Sequence, residues 1–381
     1  MIKLSRPNIT KEAMQEVCKV LESGMLVQGE KVLEFETELK KYINVDYVSA
    51  VSSGTAALHL ALEALEIGQG DAVLVPDFTF VATANVVEIQ KARTVLVDVD
   101  SSSYNMCPDK LEETISNYNY KEQLKAIIVV HEFGAPADMT RIMAIAKKYN
   151  LYVIEDAACA LGAYHNEQHV GTFGDIGCFS FHPRKSITTG EGGALITNNE
   201  KLARKVELLR NHGLKRDENG LIDVDMPGYN YRMTDFQAIL GISQLKTFQG
   251  NLVKRSLLVD NYFNELSNIE SIKLPRTIEG HAWQSFMIIL NDKLNRSFLI
   301  EKLYNSKIEA GQGAQAISKL SYFNKKYKND YLKNSNSEIL AKKGLVLPLD
   351  NTMNAADIKY ICLSLAGVIK AGDYDGNSLI N

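Results

Sequence analysis

Residues 177–193, GCFSFHPRKSITTGEGG, decide the fold. The stretch begins as a short apolar strand, enters a polar loop that contains Lys185, and ends in a turn with three glycines. A lysine enclosed by a loop can have its pKa lowered by burial and can attack a carbonyl. Glycines suit tight turns or the close approach of backbone to a ligand. A plain surface loop is the alternative, but it does not explain the density of Gly, Thr and Glu beside Lys185.

Short apolar runs recur on both sides of this stretch. They are near-continuous rather than alternating, which is typical of strands buried on both faces in a mainly parallel sheet. We predict strands at residues 47–51, 72–75, 94–97, 126–130, 152–154, 177–181 and 194–197. Helices are predicted between them at 55–65, 81–90, 108–116, 139–149 and 200–212. This alternation predicts an α/β protein with a doubly wound layer.

The pattern changes in the C-terminal third. A long helical pattern runs from Asp235 toward Asn264, followed by scattered strands at 285–290 and 344–348 among polar helices. We therefore predict a large domain of residues 1–250 and a smaller domain of residues 251–381, on which the N-terminal segment could also pack. The stretch 321–338, rich in Lys, Asn and Tyr, is predicted to be a surface insertion or a substrate loop.

The composition is that of an ordinary globular protein. Of the 381 residues, 45% are hydrophobic and 23% charged, and the formal net charge of −4 shows no basic excess for nucleic acid. No apolar run is long enough to span a bilayer. The five cysteines form no CxxC pair, which argues against a disulfide framework or a zinc ribbon. We predict a cytoplasmic protein with no metal site and no membrane or nucleic-acid partner.

Two further stretches fall just past the carboxyl ends of strands, where open α/β sheets bind ligands. In VSSGTAAL, residues 51–58, free N–H groups at Gly54, Thr55 and Ala56 would face an anion at a helix start. An ordinary capped helix is the alternative.

In YVIEDAAC, residues 152–159, a strand delivers Asp156 to the same edge. A carboxylate buried there needs a cationic or donor partner, such as a metal or a protonated ring nitrogen, unless Asp156 caps a helix.

Together the three stretches meet the needs of pyridoxal 5′-phosphate (PLP). This cofactor needs a lysine for its covalent link, an acid for its pyridinium nitrogen and a cradle for its phosphate. Lys185 lies 29 residues after Asp156. That gap is long enough for a loop and a strand to bring the two side chains to opposite parts of one ring.

Several motifs resemble the sugar aminotransferases of the DegT/DnrJ/EryC1/StrS family. They are SGTAAL at 53–58, TFVAT at 79–83, EDAA at 155–158, FSFHPRK at 179–185, TTGEGG at 188–193 and GYNYRM at 228–233. The resemblance extends from about residue 3 to 250 and is looser beyond, where LVLPL at 345–349 carries it. It implies the aspartate-aminotransferase fold (fold type I), with a mainly parallel seven-stranded sheet and a smaller C-terminal α+β domain. It also implies a homodimer with active sites shared at the subunit interface.

The resemblance implies roles at the cofactor ring. Lys185 would form the Schiff base and carry the proton, Asp156 would pair with the pyridine nitrogen, and Phe80 would stack on the ring. Family members often have Gln or His three residues after Asp156, where the side chain contacts the ring oxygen. In this sequence Cys159 occupies that position, and its thiol forms weaker hydrogen bonds than Gln or His would.

The resemblance also implies how the phosphate is held. Thr55, Ala56 and Ser180 match phosphate contacts, next to Gly54 in the same turn. Asn230 matches an asparagine that reaches the phosphate from the other subunit.

The motifs around Lys185, together with GYNYRM, look like the branch of the family that aminates 4-keto sugars. Members of the 3-keto branch tend to carry an aromatic–Pro–Gly–Lys loop and an Asn-Ser-Arg-Leu motif. We expect amino transfer from L-glutamate, through pyridoxamine 5′-phosphate, to a 4-keto-6-deoxy sugar linked to a nucleoside diphosphate. The product would serve amino-sugar and surface-polysaccharide synthesis, such as that of lipopolysaccharide O-antigen. The alternatives are a 3-keto-sugar or cyclitol aminotransferase and a non-catalytic regulator that binds PLP or a sugar. A sugar dehydratase of this fold would have His in place of the lysine, so Lys185 argues against that function.

Five side chains are candidates for contact with substrate. His182 adjoins the lysine, and His212 matches a family position near the substrate. Glu191 could orient the lysine or sugar hydroxyls, or could only stabilise its turn. Arg184 and Arg232 could pair with the diphosphate, since guanidinium matches phosphate well, or could form surface ion pairs.

Overall fold

The computed structural model describes residues 1–216, 219–327 and 335–375, with side chains through residue 370. Its helices are α1 Lys11–Ser23, α2 Glu30–Ile43, α3 Gly54–Ala64, α4 Ala82–Ile89, α5 Pro108–Ser116, α6 Met139–Tyr149, α7 Glu200–Arg210, α8 Asp235–Leu245, α9 Phe248–Leu266, α10 Arg296–Asn305, α11 Ser321–Lys326, α12 Asn336–Lys343 and α13 Ala355–Asp375. Its strands are β1 Tyr47–Val51, β2 Asp71–Pro76, β3 Phe78–Thr79, β4 Arg93–Val97, β5 Gln123–Val130, β6 Tyr152–Asp156, β7 Tyr164–His165, β8 Gln168–His169, β9 Ile176–Ser180, β10 Gly193–Thr197, β11 Leu214–Arg216, β12 Ile222–Val224, β13 Ile272–Lys273, β14 Phe286–Leu290, β15 Gly311–Gln312, β16 Gln315–Ala316 and β17 Gly344–Leu347.

The central sheet has seven strands in the order β1-β10-β9-β6-β5-β2-β4. Neighbouring strands are parallel except for β10, which runs antiparallel to both β1 and β9. Successive side chains of a strand point to opposite faces. Ile154 of β6 accordingly packs in the core around α3, while Val153 packs in the core around α5 and α6. The predicted α/β class and mainly parallel seven-stranded sheet are confirmed.

A second, antiparallel sheet lies in the C-terminal part, in the order β13-β14-β17-β15. It shares a core with α9, α10 and α13, in which the rings of Tyr262 and Phe286 stack at 4.6 Å between centroids. The N-terminal segment joins this layer, because Ile2 forms a parallel bridge with Ile308. The division into residues 1–250 and 251–381 remains a proposal, and α9 crosses its boundary.

The long helical pattern predicted from Asp235 toward Asn264 forms two helices, because the chain leaves the helical conformation between Leu245 and Phe248. Thr247 leaves the helical conformation, with φ of −108° and ψ of 3°. Its hydroxyl donates to the carbonyl of Gln244 at 3.3 Å, which gives the backbone an alternative to the next helical hydrogen bond. The chain then restarts as α9.

The stretch 321–338 is only partly a surface segment. Phe323 of α11 and the following Tyr327 are buried in the core of the central layer. The Tyr327 hydroxyl also donates to Oε1 of Glu88 at 2.7 Å. Residues 328–334, where a substrate loop would fall, lie outside the described residues.

Candidate active site

The carboxyl ends of the central parallel strands meet at one edge of the sheet. β6 ends at Asp156 and β9 at Ser180, and Val130 at the end of β5 is the register partner of Asp156. The loops that follow these strands therefore lie side by side. They bring together Asp156, Cys159, Lys185 and a residue not predicted from the sequence, Glu132.

Asp156 is a buried carboxylate held by two donors. It is 5% exposed. The Thr83 hydroxyl donates to its Oδ2 at 2.8 Å, and the Ala158 N–H donates to its Oδ1 at 3.1 Å. Burial raises its pKa, while the bonds from Thr83 and Ala158 and the charge of Lys185 oppose that rise. Within the described residues it has no direct ion-pair partner, so it can accept a further cationic donor.

Lys185 points toward the same cluster. Its Nζ lies 3.0 Å from Sγ of Cys159. Burial lowers the pKa of the amine, but Cys159, Asp156 and Glu132 together outweigh burial, and the pKa is raised. In the protein without its cofactor, burial by itself lowers the pKa of Lys185 as expected, but the three acidic groups around the amine make the net shift upward.

Glu132 is the acid that the sequence analysis missed. It sits in the 3-10 turn Glu132–Gly134, is 5% exposed, and its N–H donates to Oδ1 of Asn105 at 2.8 Å. Burial raises its pKa to about 8, and Asp156 adds to the rise while Lys185 opposes it. The next residue, Phe133, has the left-handed φ of 54°, a strained conformation of the kind that clusters at functional sites.

The start of α3 is the place where the anion cradle is predicted, and one of its amides is already hydrogen-bonded within the protein. The Ser53 hydroxyl accepts the Ala56 N–H at 3.0 Å, so this N–H is not free as expected. Gly54 lies against the end of β9, where a Cβ on it would come 2.7 Å from Cβ of Ser180. Thr55 is exposed beside it. The structure thus brings Gly54, Thr55, Ala56 and Ser180 together at a helix N-terminus, where backbone N–H groups favour an anion.

Phe80 lies in the segment between β3 and α4, and its side chain is 61% exposed. The neighbouring Thr79 is buried, and its hydroxyl lies 3.1 Å from that of Thr83. Thr83 in turn bonds Asp156, so the segment that carries Phe80 is tied to the acid. An exposed aromatic face near this carboxylate suits a planar ring.

The remaining predicted residues fall into two groups. Asn230 and His212 are exposed, and Asn230 pairs with Asn211 in a backbone bridge. Arg232 pairs with Val51 at the end of β1 and donates to Oδ1 of Asn211 at 2.6 Å. This places 230–232 beside the entry to α3.

The second group lies on the lysine loop itself. His182 is half-buried, and its Nδ1 accepts the N–H of Arg184 at 3.2 Å. Glu191 is exposed, and its carbonyl accepts from Thr189 at 2.6 Å and from Gln237 at 2.9 Å. These are backbone contacts that stabilise the turn, in line with one of its two predicted roles. The structure shows no acidic partner for Arg184 within the described residues.

The neighbouring acid, Glu155, has a structural role instead. It is fully buried and accepts the N–H groups of Gly171, Phe173 and Gly174, each at 2.7 Å. Its Oε2 also lies 2.9 Å from Nε2 of His131. Of the two adjacent acids that β6 delivers, only Asp156 is therefore available to a ligand.

One of the two missed residues, Glu132, carried a signal in the sequence. Glu132 comes two residues after the predicted strand 126–130, at the position where such strands deliver site residues. Thr83 lies within the TFVAT motif, but its contact with Asp156 is made 73 residues away in sequence. Only the assembled sheet shows that contact.

The site fits PLP on its own geometry. Asp156 offers a buried carboxylate for a protonated ring nitrogen, Lys185 offers an amine 3.0 Å from a thiol, and the turn at Gly54 leaves room that a Cβ would fill. These are the three groups that PLP requires.

Comparison with known proteins identifies the family of this chain. The family model of the DegT/DnrJ/EryC1/StrS aminotransferase family matches residues 7–366. The uncharacterised protein MJ1066 of Methanocaldococcus jannaschii is 37% identical over 370 residues, covering 93% of this chain and 94% of that protein.

Solved structures of aminotransferases are also similar to this chain. The chain is similar to Helicobacter pylori PseC, an aminotransferase involved in the biosynthesis of pseudoaminic acid, with a TM-score of 0.91, 26% identity, and coverage of 97% of this chain and 99% of that one. It is also similar to the PLP form of the putative sugar aminotransferase Spr1654 from Streptococcus pneumoniae, with a TM-score of 0.87, 27% identity, and coverage of 97% and 99%.

The fold and site define a PLP-dependent aminotransferase of fold type I. The chain belongs to the DegT/DnrJ/EryC1/StrS aminotransferase family, whose members aminate sugars. None of the helices in the described part of the chain combines the length and apolar character needed to cross a membrane.

Proposed function

We propose that the protein transfers an amino group from L-glutamate to a 4-keto-6-deoxy sugar linked to a nucleoside diphosphate. The observation that carries the proposal is the meeting of Lys185 and Asp156 at one sheet edge, each inside a motif of the family. The choice of a 4-keto acceptor is supported by the residues around Lys185 and by GYNYRM at 228–233. We further propose a cytoplasmic enzyme whose product enters surface-polysaccharide synthesis.

Asp156 anchors the proposed chemistry. PLP, when bound, supplies an electron-withdrawing ring that makes the proton on the amino-bearing carbon acidic. In our account Asp156 keeps the ring nitrogen protonated, because a carboxylate favours the charged form of a basic partner. Thr83 and Ala158 fix the carboxylate in place through the two hydrogen bonds described above.

Lys185 is the proposed proton carrier. Its amine takes the proton from the α-carbon of the amino donor and returns a proton to the sugar carbon that gains nitrogen. Cys159, 3.0 Å from Nζ, holds the amine at the side of the cluster that contains Asp156. Cys159 is also our candidate for the weak contact with the ring oxygen.

The other cofactor contacts are proposed from their placement. Gly54, Thr55, Ala56 and Ser180 would hold the phosphate at the start of α3, and Phe80 would cover one face of the ring. His182, Glu191, His212 and Arg232 are proposed to face the sugar nucleotide.

We also propose a homodimer with shared sites. The β11–β12 hairpin exposes apolar side chains, with Ile222 at 69% and Val224 at 57%. Apolar surface of this kind is commonly covered by a partner, and exposed Asn230 follows it in sequence. Light scattering of the purified protein should give twice the chain mass, and Ile222→Asp should shift the protein toward monomer. A monomeric wild-type protein would contradict the dimer.

The test of the proposed function is an absorbance titration of the PLP-loaded protein. L-glutamate should remove the visible band of the bound cofactor, and one nucleotide-linked 4-keto sugar should restore it. Restoration only by a 3-keto sugar or a keto-cyclitol would move the acceptor to that class. No loss of the band with L-glutamate would overturn the proposed donor.

A further inference from the structure

Glu132 is a buried acid to which the proposed chemistry assigns no task. Its residue is 5% exposed, and among the described residues its carboxyl group forms no ion pair and accepts no side-chain hydrogen bond. It still belongs to the site, because it contributes to raising the pKa of both Lys185 and Cys159 and so lies within electrostatic reach of them. A buried carboxyl group without an ion-pair partner favours its protonated form, which can donate a hydrogen bond.

The turn Glu132–Gly134 is fixed against the residues that end and follow β6. Just before the turn, the N–H of His131 donates to the carbonyl of Asp156 at 3.1 Å. At the end of the turn, a Cβ on Gly134 would come 3.0 Å from the carbonyl oxygen of Cys159. Glu132 therefore lies between a residue bonded to Asp156 and a residue packed on Cys159.

The neighbouring polar side chain, His131, is already hydrogen-bonded within the protein. Its Nε2 lies 2.9 Å from Oε2 of Glu155, and its Nδ1 accepts the N–H of Ala137 at 3.0 Å. Both ring nitrogens are therefore engaged. Glu132 is the first residue after β5 whose polar side chain is available to a ligand.

The order of the strands decides which edge of PLP faces Glu132. In PLP the ring nitrogen lies opposite the carbon that bears the aldehyde, and the phosphate arm and the ring oxygen stand on opposite sides of that axis. Lys185 and Asp156 are proposed to hold the two ends of the axis. The phosphate is proposed to bind beside Ser180 at the end of β9, whereas Glu132 follows β5. Because β6 lies between β9 and β5, the ring oxygen is directed to the side of Glu132.

We propose that the carboxyl group of Glu132 donates a hydrogen bond to the ring oxygen of bound PLP. This oxygen is negative once it has lost its proton, so a protonated acid stabilises it and a carboxylate would repel it. Burial favours the protonated form of Glu132, as this contact requires. Cys159 lies on the same side, but a thiol is only a weak donor. The inference rests on the cofactor contacts proposed for Lys185 and Asp156 and for the phosphate, and not on the identity of the amino donor or the sugar.

The first test is a pH titration of the visible band of the PLP-loaded protein without substrates. The band reports the proton on the nitrogen that joins Lys185 to the cofactor, and the negative ring oxygen helps to hold that proton. A hydrogen bond to the oxygen weakens this hold, so Glu132→Leu should raise the pH midpoint by roughly one unit. Glu132→Gln should keep the midpoint near that of wild type, because an amide also donates. An unchanged or lower midpoint in Glu132→Leu would overturn the contact.

The second test uses the cofactor-free protein and requires no covalent link. Calorimetry would give the Kd of pyridoxine 5′-phosphate, which has no aldehyde, and the Kd of its analogue without the ring hydroxyl. Wild type and Glu132→Gln should bind the ligand with the hydroxyl about tenfold more tightly than the analogue. Glu132→Leu should lose this preference while binding the analogue as wild type does. Equal Kd values for the two ligands in wild type would contradict the contact even if Glu132→Leu fails to fold.

Cys159→Ala is the matched control, because it removes the other polar group on the same side of the ring. This variant should keep the preference for the ring hydroxyl. Loss of the preference in Cys159→Ala but not in Glu132→Leu would assign the contact to the thiol instead. A phosphopyridoxyl label on a lysine other than Lys185 would overturn the proposed function together with this contact. With Lys185 labelled, a missing shift in Glu132→Leu would overturn the contact alone.

Discussion

Nζ of Lys185 lies 3.0 Å from Sγ of Cys159, three residues after Asp156. Burial raises the pKa of the Cys159 thiol, and Glu132 adds to that rise while Lys185 opposes it. The same contact raises the pKa of Lys185. The residue that departs from the usual family pattern thus joins Asp156 and Glu132 in raising the pKa of the Lys185 amine.

We predict that Cys159→Ala lowers the pKa of Lys185. The neutral amine captures PLP, so the pH midpoint for cofactor capture should fall in this variant. Stopped-flow absorbance of the cofactor-free protein mixed with PLP, extended to alkaline pH above the ordinary lysine pKa of about 10.4, would measure the midpoint. Cys18→Ala, on exposed α1, is the matched control. A midpoint that stays in place or rises would show that the thiol does not govern this amine.

Lys185→Ala should abolish amino transfer while the fold is retained. Loss of a positioned acid–base group costs about 10²–10⁴-fold in rate, and the covalent link to the cofactor is lost as well. Steady-state turnover with L-glutamate and the active sugar would measure this loss. Lys147→Ala, on the exposed face of α6, should keep full activity. Turnover of the Lys185 variant above a tenth of wild type would remove Lys185 from its proposed role.

Thr83→Val should weaken catalysis through Asp156. It deletes the 2.8 Å hydrogen bond that lowers the pKa of this carboxyl group, so the pKa should rise further. We expect about a tenfold loss of turnover.

Asp156→Asn should lower turnover by about 10³-fold, and the two changes combined should cost no more turnover than Asp156→Asn alone. Thr114→Val on α5 is the control for a lost threonine hydroxyl. Additive losses in the double variant would place Thr83 in an independent role.

Much of this site could be predicted from the sequence because its signals are local. Apolar runs that end in Asp156 and Ser180 mark the sheet edge, and the glycines after Lys185 mark a loop that approaches a ligand. Glu132 and Thr83 could not be assigned in the same way, since their importance depends on neighbours far along the chain. The net rise in the pKa of Lys185 could not be predicted for the same reason. Burial alone lowers it, and only the folded cluster shows three acidic groups around it. The break at Thr247 depends on one local hydroxyl bond within an otherwise helical pattern.

Glu132→Gln should change how the stability of the cofactor-free protein depends on pH. The pKa of Glu132 rises from 4.5 to about 8 on folding. Its contribution to stability is therefore fully present below about pH 4.5 and is lost as pH rises through about 8. Glutamine does not ionise, so the variant lacks this loss. The free energy of unfolding of the variant minus that of wild type should therefore be larger at pH 8 than at pH 5, by on the order of a few kcal/mol. Urea unfolding at both pH values measures the difference.

Glu301→Gln provides the control, because Glu301 is exposed on α10. Its stability relative to wild type should be the same at both pH values. Equal behaviour of the Glu132 variant at pH 5 and pH 8 would mean that Glu132 is ionised in the fold like an ordinary surface acid.

The most direct measurement of the central claim is the covalent position of the cofactor. The PLP-loaded protein would be reduced with borohydride, digested, and its peptides mapped by mass spectrometry. We predict the phosphopyridoxyl mass on Lys185 alone, with no labelled peptide in the Lys185→Ala protein. A label on another lysine, or no label in the wild-type protein, would contradict the assignment of Lys185 and the account built on it.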